Sequence, residues 1–378
     1  MGMEALVEIS RFYGADPDYV LAGGGNTSWK DRDTLYVKAS GSSLADASAD
    51  SFVKMDRSAL ALIWENEYPP SGAERENAVL ADIMASRRAG EEAKRPSVEV
   101  LLHDIMPFGY VVHLHPALVN GLTCSRQGEE AMRMIFGEKA VWIPSTNPGY
   151  VLSKKAKTAM EAYNASHGEA AAVVFLQNHG VFVGDDSVDG IKEMYGEIMR
   201  KIDVCIKKRP DFSDEKRRRF GDGDDSHASD TIDVIMETIA ELAGAAVFLQ
   251  AAEISSLVKN HASFAPVSSA FTPDHIVYAG SNPLFTEATA APGIRDAWKN
   301  HTEKTGRDPK IAAVQDLGIF GAAATEKAAS LALDLFIDSV KVAVYSESFG
   351  GPRFMTHDEI DFINNWEAEC FRTNVSVK

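Results

Sequence analysis

Cysteine is scarce: the 378 residues hold three, Cys124, Cys205 and Cys370, far apart and odd in number. That excludes a disulfide framework and points to a reducing cytoplasm. Long apolar runs are missing as well. No stretch of about 18 apolar residues occurs, and the opening Met1-Gly-Met-Glu-Ala5 is neither basic nor apolar, so neither a membrane span nor a secretory leader is expected. Basic residues are in deficit, 38 Lys and Arg against 55 Asp and Glu, a formal net charge of -17. Nucleic acid and anionic membranes are thereby disfavoured as partners, because neutralising phosphates takes clustered cations. An anionic substrate would need local positive potential. What remains, 45% hydrophobic and 25% charged, is the composition of a soluble globular protein, in a chain long enough for two domains.

The most informative stretch is Val111-Val-His-Leu-His-Pro-Ala-Leu-Val-Asn-Gly-Leu-Thr-Cys-Ser125. Tyr110, Val111 and Val112 favour a strand, which puts His113 and His115 two apart on one face. Pro116 cannot donate to a ladder and ends the strand, leaving both imidazoles at its carboxyl end, where α/β folds commonly place their sites. Two histidines rarely complete a metal site, since catalytic zinc usually takes three protein ligands and keeps one position open. The third candidate is His179, delivered just before Gly180 by the apolar strand Val173 to Gly184. Upstream, Pro96-Ser-Val-Glu99 opens a helix-like run from Val98 to Ile105 and supplies a carboxylate, Glu99, as acid/base. His103, one helical turn on, reads as a structural partner.

Along the rest of the chain, Gly23-Gly-Gly-Asn-Thr-Ser28 is a glycine-rich loop whose backbone N–H groups suit an anion, and Thr34 to Ser43 reads as a strand entering a second small-residue loop. Helical periodicity is expected over 2–13, 58–65, 75–86, 152–166 and 185–208, and over 230–259 as one long or two short helices. In the last of these, Ile232, Val234, Ile235, Ile239, Leu242 and Ala245 would form a buried stripe. Residues 126–140 are mixed, and Ala140 to Pro144 reads as a strand. Arg209 to Asp225 reads as linker, with Lys216 to Arg219 a solvated face. Thr272-Pro-Asp-His275 looks like a turn, and Trp366 to Arg372 like a closing amphipathic helix. Gly318-Ile-Phe-Gly321 lacks the full dinucleotide pattern, so no nucleotide site is expected there.

Taken in order, Gly23-Gly-Gly-Asn-Thr-Ser28, Ala39-Ser-Gly41, Pro96-Ser-Val-Glu99, His113-Leu-His-Pro116 and Gln177-Asn-His-Gly180 resemble the class II aldolase/adducin family over about residues 1–207. The whole chain is similar to the aldolase portion of bifunctional rhamnulose-phosphate aldolase/alcohol dehydrogenase proteins, without a dehydrogenase domain. The resemblance implies an α/β/α sheet domain over 1–208, a linker over 209–229 and a second α/β domain over 230–378. Because Ile311-Ala-Ala-Val-Gln-Asp-Leu-Gly-Ile-Phe320 echoes Val173 to Phe182, that second domain is expected to be a degenerate copy without a metal site: Leu317 stands where His179 does.

The resemblance implies zinc, or another divalent metal, on His113, His115 and His179. It also implies that Glu99 is catalytic and a transient metal ligand, and that Gly25, Asn26, Ser40, Gly41 and Ser97 hold a substrate phosphate. Val98 stands where some relatives have a further serine. The implied reaction is cleavage of a ketose 1-phosphate to dihydroxyacetone phosphate and an aldehyde through a metal-stabilised enediolate. A pentulose-phosphate 4-epimerase, a sugar-phosphate dehydratase and a non-catalytic adducin-like module are the alternatives. Related aldolases place a tyrosine from a neighbouring subunit at the site and form four-fold assemblies, so a homo-oligomer is expected, with a small-molecule sugar phosphate as partner.

Overall fold

A computed structural model describes residues 2–70, 72–219 and 227–366. Its first half carries strands β1 (Asn26–Lys30), β2 (Thr34–Lys38), β3 (Phe52–Asp56), β4 (Tyr110–Leu114), β5 (Val141–Ile143), β6 (Val173–Leu176) and β7 (Gly180–Asp185). They form one sheet in the order β3-β2-β1-β4-β7-β6-β5, antiparallel throughout except between β5 and β6. The helices are α1 (Gly2–Gly14), α2 (Arg57–Leu62), α3 (Gly72–Ala85), α4 (Val100–Ile105), α5 (Ala117–Thr123), α6 (Gly128–Phe136), α7 (Tyr150–His167) and α8 (Val188–Asp203). The segment 126–140, which showed no clear pattern, thus contains α6. Val173 to Gly184 is a hairpin rather than one strand, because Gln177 to His179 turns tightly between β6 and β7.

Strand β4 shows why its sequence is apolar on both sides. Val112 and Leu114 pack with α5, α6 and α8, while Val111 packs with α4 and α7, so both faces of the strand are covered. Helix α8 buries Ile191, Tyr195, Ile198 and Ile202 at helical spacing and is capped by Ser187, whose side chain accepts from the Gly190 N–H. Tyr195 reaches back through its hydroxyl to Val112 O (3.0 Å) and Val181 O (3.2 Å), tying the helix to the two strands that carry the site.

The second half is built on β8 (Lys216–Arg219), β9 (Ala245–Gln250), β10 (Leu284–Thr286), β11 (Ile311–Val314) and β12 (Gly318–Ala323), in the order β10-β11-β12-β9-β8. Its helices are α9 (His227–Ala243), α10 (Ala252–Leu257), α11 (His261–Phe264), α12 (Ala291–Thr305), α13 (Glu326–Ser346) and α14 (His357–Asn365). The helical run expected over 230–259 is corrected to helix, strand, helix. The chain leaves α9 at Gly244, at a φ of +108°, and Ala245 to Gln250 becomes a largely buried strand between β12 and β8. Ile232, Ile235 and Ile239 are buried as expected, but Val234 is exposed on the far face of α9. Within the expected linker, Lys216 to Arg219 forms the edge strand, with Arg217 paired to Asp334 and Arg218 to Asp233. Residues 220–226 of that linker, and the expected closing helix beyond Trp366, lie outside the described residues.

The sub-sheet β1-β4-β7-β6-β5 and the whole second sheet, β8-β9-β12-β11-β10, share one order, one set of strand directions and one order along the chain. Their tight turns match as well. Asn178 and Asp316 both take left-handed backbone, at φ +57° and +59°, and the residues before them donate to Ile143 O and Thr286 O at the ends of β5 and β10. This register sets Phe248, Gln250 and Leu317 where the first half has His113, His115 and His179. The second half repeats the first without its imidazoles.

The halves share a core. Ala117 and Cys124 of the α5 segment pack in the same apolar cluster as Phe271, Phe336 and Val340. Gly121 makes this close approach feasible: a Cβ there would lie 2.3 Å from the Tyr345 Cβ on α13. No helix among the described residues is long and apolar enough to cross a membrane, and Cys124 and Cys205 are free thiols.

Candidate metal centre

His113 is the fourth residue of β4, His115 follows the strand directly, and His179 closes the β6–β7 turn beside them. Their Nε2 atoms converge: His115 to His113 is 2.8 Å, and His113 to His179 is 3.4 Å. Three nitrogens around a tetrahedral zinc, each about 2.1 Å from it, would be about 3.4 Å apart. Among the described residues, these three form the group of potential ligands close enough to share an ion.

Hydrogen bonding on the far side of two rings fixes which nitrogen faces inward. His113 Nδ1 lies 3.0 Å from Val181 O, a group that only accepts, so Nδ1 carries the proton and Nε2 presents a lone pair. The ring stacks on Phe182 at 3.9 Å. His115 Nδ1 lies 2.6 Å from the Asp274 carboxylate, with the same consequence. Two lone pairs therefore face each other at 2.8 Å, an arrangement that a bound cation would relieve. Burial drives the His113 pKa well below its ordinary value and pushes His179 down to about 3, so these two rings face the site as neutral donors.

Glu99 sits at the N-cap of α4, buried. Its Oε2 accepts from Asn26 Nδ2 at 2.7 Å, whereas Oε1 has no hydrogen-bond partner and points to His113 Nε2 (3.3 Å) and His179 Nε2 (3.4 Å). A buried carboxylate oxygen without a donor is costly and needs a cation, a proton or a ligand beside it. The donor set and the orphaned oxygen both fit a divalent metal.

Behind Glu99 runs a chain of polar contacts. Asn26 Oδ1 bonds His103 Nε2, and His103 Nδ1 meets Ser28 Oγ at 2.7 Å. His103 is thus the structural partner that its position on α4 suggested, held neutral by burial. Of the residues expected to hold a phosphate, Asn26 has both side-chain polar groups engaged inside the protein. The other four lie on three adjoining segments. Gly25 leads into β1, Ser40 and Gly41 follow β2, and Ser97 precedes Glu99. Lys38 Nζ donates to Gly23 O and Gly25 O, Ser40 N to Arg95 O, and Ser97 N to Lys38 O.

Sequence reasoning missed Asp274. Thr272-Pro-Asp-His275 reads only as a turn in the sequence, and its histidine pairs with Asp338 at 2.9 Å. Nothing local could have linked an aspartate 159 residues away to His115.

Residues 4–200 match the family described as Class II Aldolase and Adducin N-terminal domain. The chain is similar to the uncharacterized oxidoreductase YuxG of Bacillus subtilis strain 168, 28% identical over 219 residues. That match takes in 55% of this chain but only 30% of the relative. Among solved structures it is similar to the N-terminal class II aldolase domain of a conserved protein from Thermoplasma acidophilum, 27% identical, with a TM-score of 0.45, covering 53% of this chain and 92% of that one. An L-fuculose-1-phosphate aldolase from Thermus thermophilus is 13% identical, with a TM-score of 0.33, covering 53% and 91%.

Proposed function

Because this chain belongs to the class II aldolase/adducin family, we propose that it is a divalent-metal-dependent aldolase that splits a ketose 1-phosphate into dihydroxyacetone phosphate and an aldehyde. The observation that carries the reading is the free Oε1 of Glu99, 3.3 and 3.4 Å from two of the three convergent imidazoles. When bound by His113, His115 and His179, a divalent cation supplies positive charge at the carbonyl end of the substrate.

The protein's own groups do the rest. Cleavage removes the hydroxyl proton on the far carbon of the breaking bond and returns a proton to the near carbon. Glu99 balances the two transfers through Oε1, since Oε2 is held by Asn26: the carboxylate takes up the hydroxyl proton as the bond breaks and then delivers that proton to the near carbon. Asn26 serves the reaction by fixing that carboxylate. The phosphate is assigned to the segments around Gly25, Ser40, Gly41 and Ser97, where the buried Lys38 ammonium sets a positive charge behind the glycine loop in an otherwise acidic protein. Zinc is proposed from the all-imidazole donor set, a homo-oligomer from the family resemblance, and a reducing compartment from the free thiols. Elemental analysis and sedimentation measure the first two.

Incubation with a panel of ketose 1-phosphates, with trapping of the aldehyde, tests the reaction. Glu99→Gln should keep its metal and lose about 10²–10⁴ in turnover. Replacing any of the three histidines by Ala should remove the metal. An epimerised or dehydrated product would replace the aldolase reading by a 4-epimerase or a dehydratase. Absence of stoichiometric metal in the purified wild type would leave an adducin-like interaction module.

A further inference from the structure

The second half of the chain, where no imidazole trio converges among the described residues, reaches the first half's trio through Asp274. This carboxylate is buried and stands 2.6 Å from His115 Nδ1. Compared with His113, His115 has the greater need of such a partner. His113 is gripped by the sheet, stacked on Phe182 and bonded to Val181 O, while His115 lies just past the end of β4, where the ladder no longer holds it. Unrestrained, its imidazole could turn, or place the proton on Nε2, and in either case Nε2 would cease to be a donor.

The placement of Asp274 is over-determined by packing. Asn178, next to His179, donates through Nδ2 to Phe271 O (3.0 Å) and Arg353 O (2.8 Å), clamping two second-half segments to the metal turn. Met355 N donates to Ala270 O. Directly after Asp274 the chain makes a π-helical turn, His275–Ala279, a rare conformation that is frequent at functional sites, and His275 ties that turn to Asp338 on α13. From the other side Gly24 makes room: a Cβ there would lie 2.5 Å from the Asp274 Oδ2 and 3.4 Å from His115 Nδ1. Residues from both halves are shaped around one carboxylate–imidazole contact.

We propose that Asp274 is a positioning residue of the metal centre, and that the second half, its own ligand positions filled by Phe248, Gln250 and Leu317, works by holding Asp274 against His115. This rests on the reading of the trio as a metal site. Outer-shell carboxylates of this kind fix the tautomer and raise the basicity of the ligating ring.

Cobalt(II) titration of the chelator-stripped full-length protein, followed by visible absorption and by competition with a chromophoric chelator, tests it without recourse to activity. Wild type should bind one cobalt. Asp274→Ala should bind about 10–100-fold more weakly with altered absorption bands. Asp274→Asn, which still offers an oxygen to Nδ1–H, should recover part of the loss. Gly24→Ala, which crowds the carboxylate without removing it, should weaken binding in the same direction, and it carries the test if Asp274→Ala does not fold. Circular dichroism of the metal-free variants should match wild type. Unchanged affinity and bands in Asp274→Ala or Gly24→Ala would overturn the role of Asp274. Failure of wild type itself to bind cobalt would instead overturn the metal reading, and this inference with it.

Discussion

Lys30 gives the fold a pH response that can be worked out in sign. Its ammonium is buried and donates to His103 O at 2.5 Å, and desolvation pushes its pKa down to about 7, with Asp104 only partly opposing the shift. In the unfolded chain the same group returns to about 10.4. Between those values the unfolded chain holds a proton that the folded chain has released, so stability rises with pH across this window. Below about pH 7 both forms are charged and the full cost of burying the ammonium persists. The buried hydroxyls of Tyr13 and Tyr195, raised by desolvation, act in the opposite direction, but only above their ordinary value near 10. Urea unfolding at pH values spaced between neutrality and the tyrosine range should therefore show wild type gaining stability with pH, and Lys30→Met, which keeps the apolar stem, gaining less. Parallel profiles would mean that Lys30 folds already solvated.

At the scale of elements, the paired turns at Asn178 and Asp316 separate what a backbone shape requires from what a side chain contributes. Both residues are left-handed, so glycine would relieve similar strain at either position, at similar entropic cost in the unfolded chain. Asp316 is exposed, and Asp316→Gly should stay within about 1 kcal/mol of wild type. Asn178 donates to two carbonyls of the second half, and Asn178→Gly should cost about 1–3 kcal/mol by leaving them without that donor. Equal values from denaturant titration would remove Asn178 as the clamp. The same pair marks how far the sequence could be read. Gln-Asn-His-Gly against Gln-Asp-Leu-Gly shows the repeated hairpin, since both are short turns between apolar strands, and His-Leu-His-Pro shows a clamp at a strand end. Strand β9 reads as helix in the sequence because Ala245-Ala-Val-Phe-Leu suits a buried helix as well as a buried strand, and only pairing with β12 decides between them. The partners of Glu99 and His115 were invisible for another reason. Asn26 and Asp274 are ordinary polar residues, brought in from 73 and 159 positions away by sheet order and by packing of the halves, which no local pattern encodes.

For the molecule as a whole, the question is whether two copies of one fold behave as one cooperative unit. The boundary favours this. Helix α5, which follows closely on the strand that carries His113, is buried against α13, and the cluster holding Ala117 and Cys124 extends through Phe271, Phe336 and Val340. The converse holds for Phe349, a second-half residue inside the first half's cluster with Val119 and Leu122. Separating the halves would expose these apolar surfaces, so partial unfolding at the boundary is costly. Ligand binding can read this out. A cation bound at a free concentration about 100 times its Kd stabilises the native state by about 2.7 kcal/mol. If the halves unfold together, every amide that exchanges through global unfolding gains that protection, including β11 and β12, which hold none of the ligands. Hydrogen exchange in mild urea, with and without chelator, should therefore show β4 and β7 losing protection on chelation by the same free energy as β11 and β12. Loss confined to the first sheet would mean that the halves open independently, and the buried contact between α5 and α13 would then have to form before the native state is reached without binding it together afterwards.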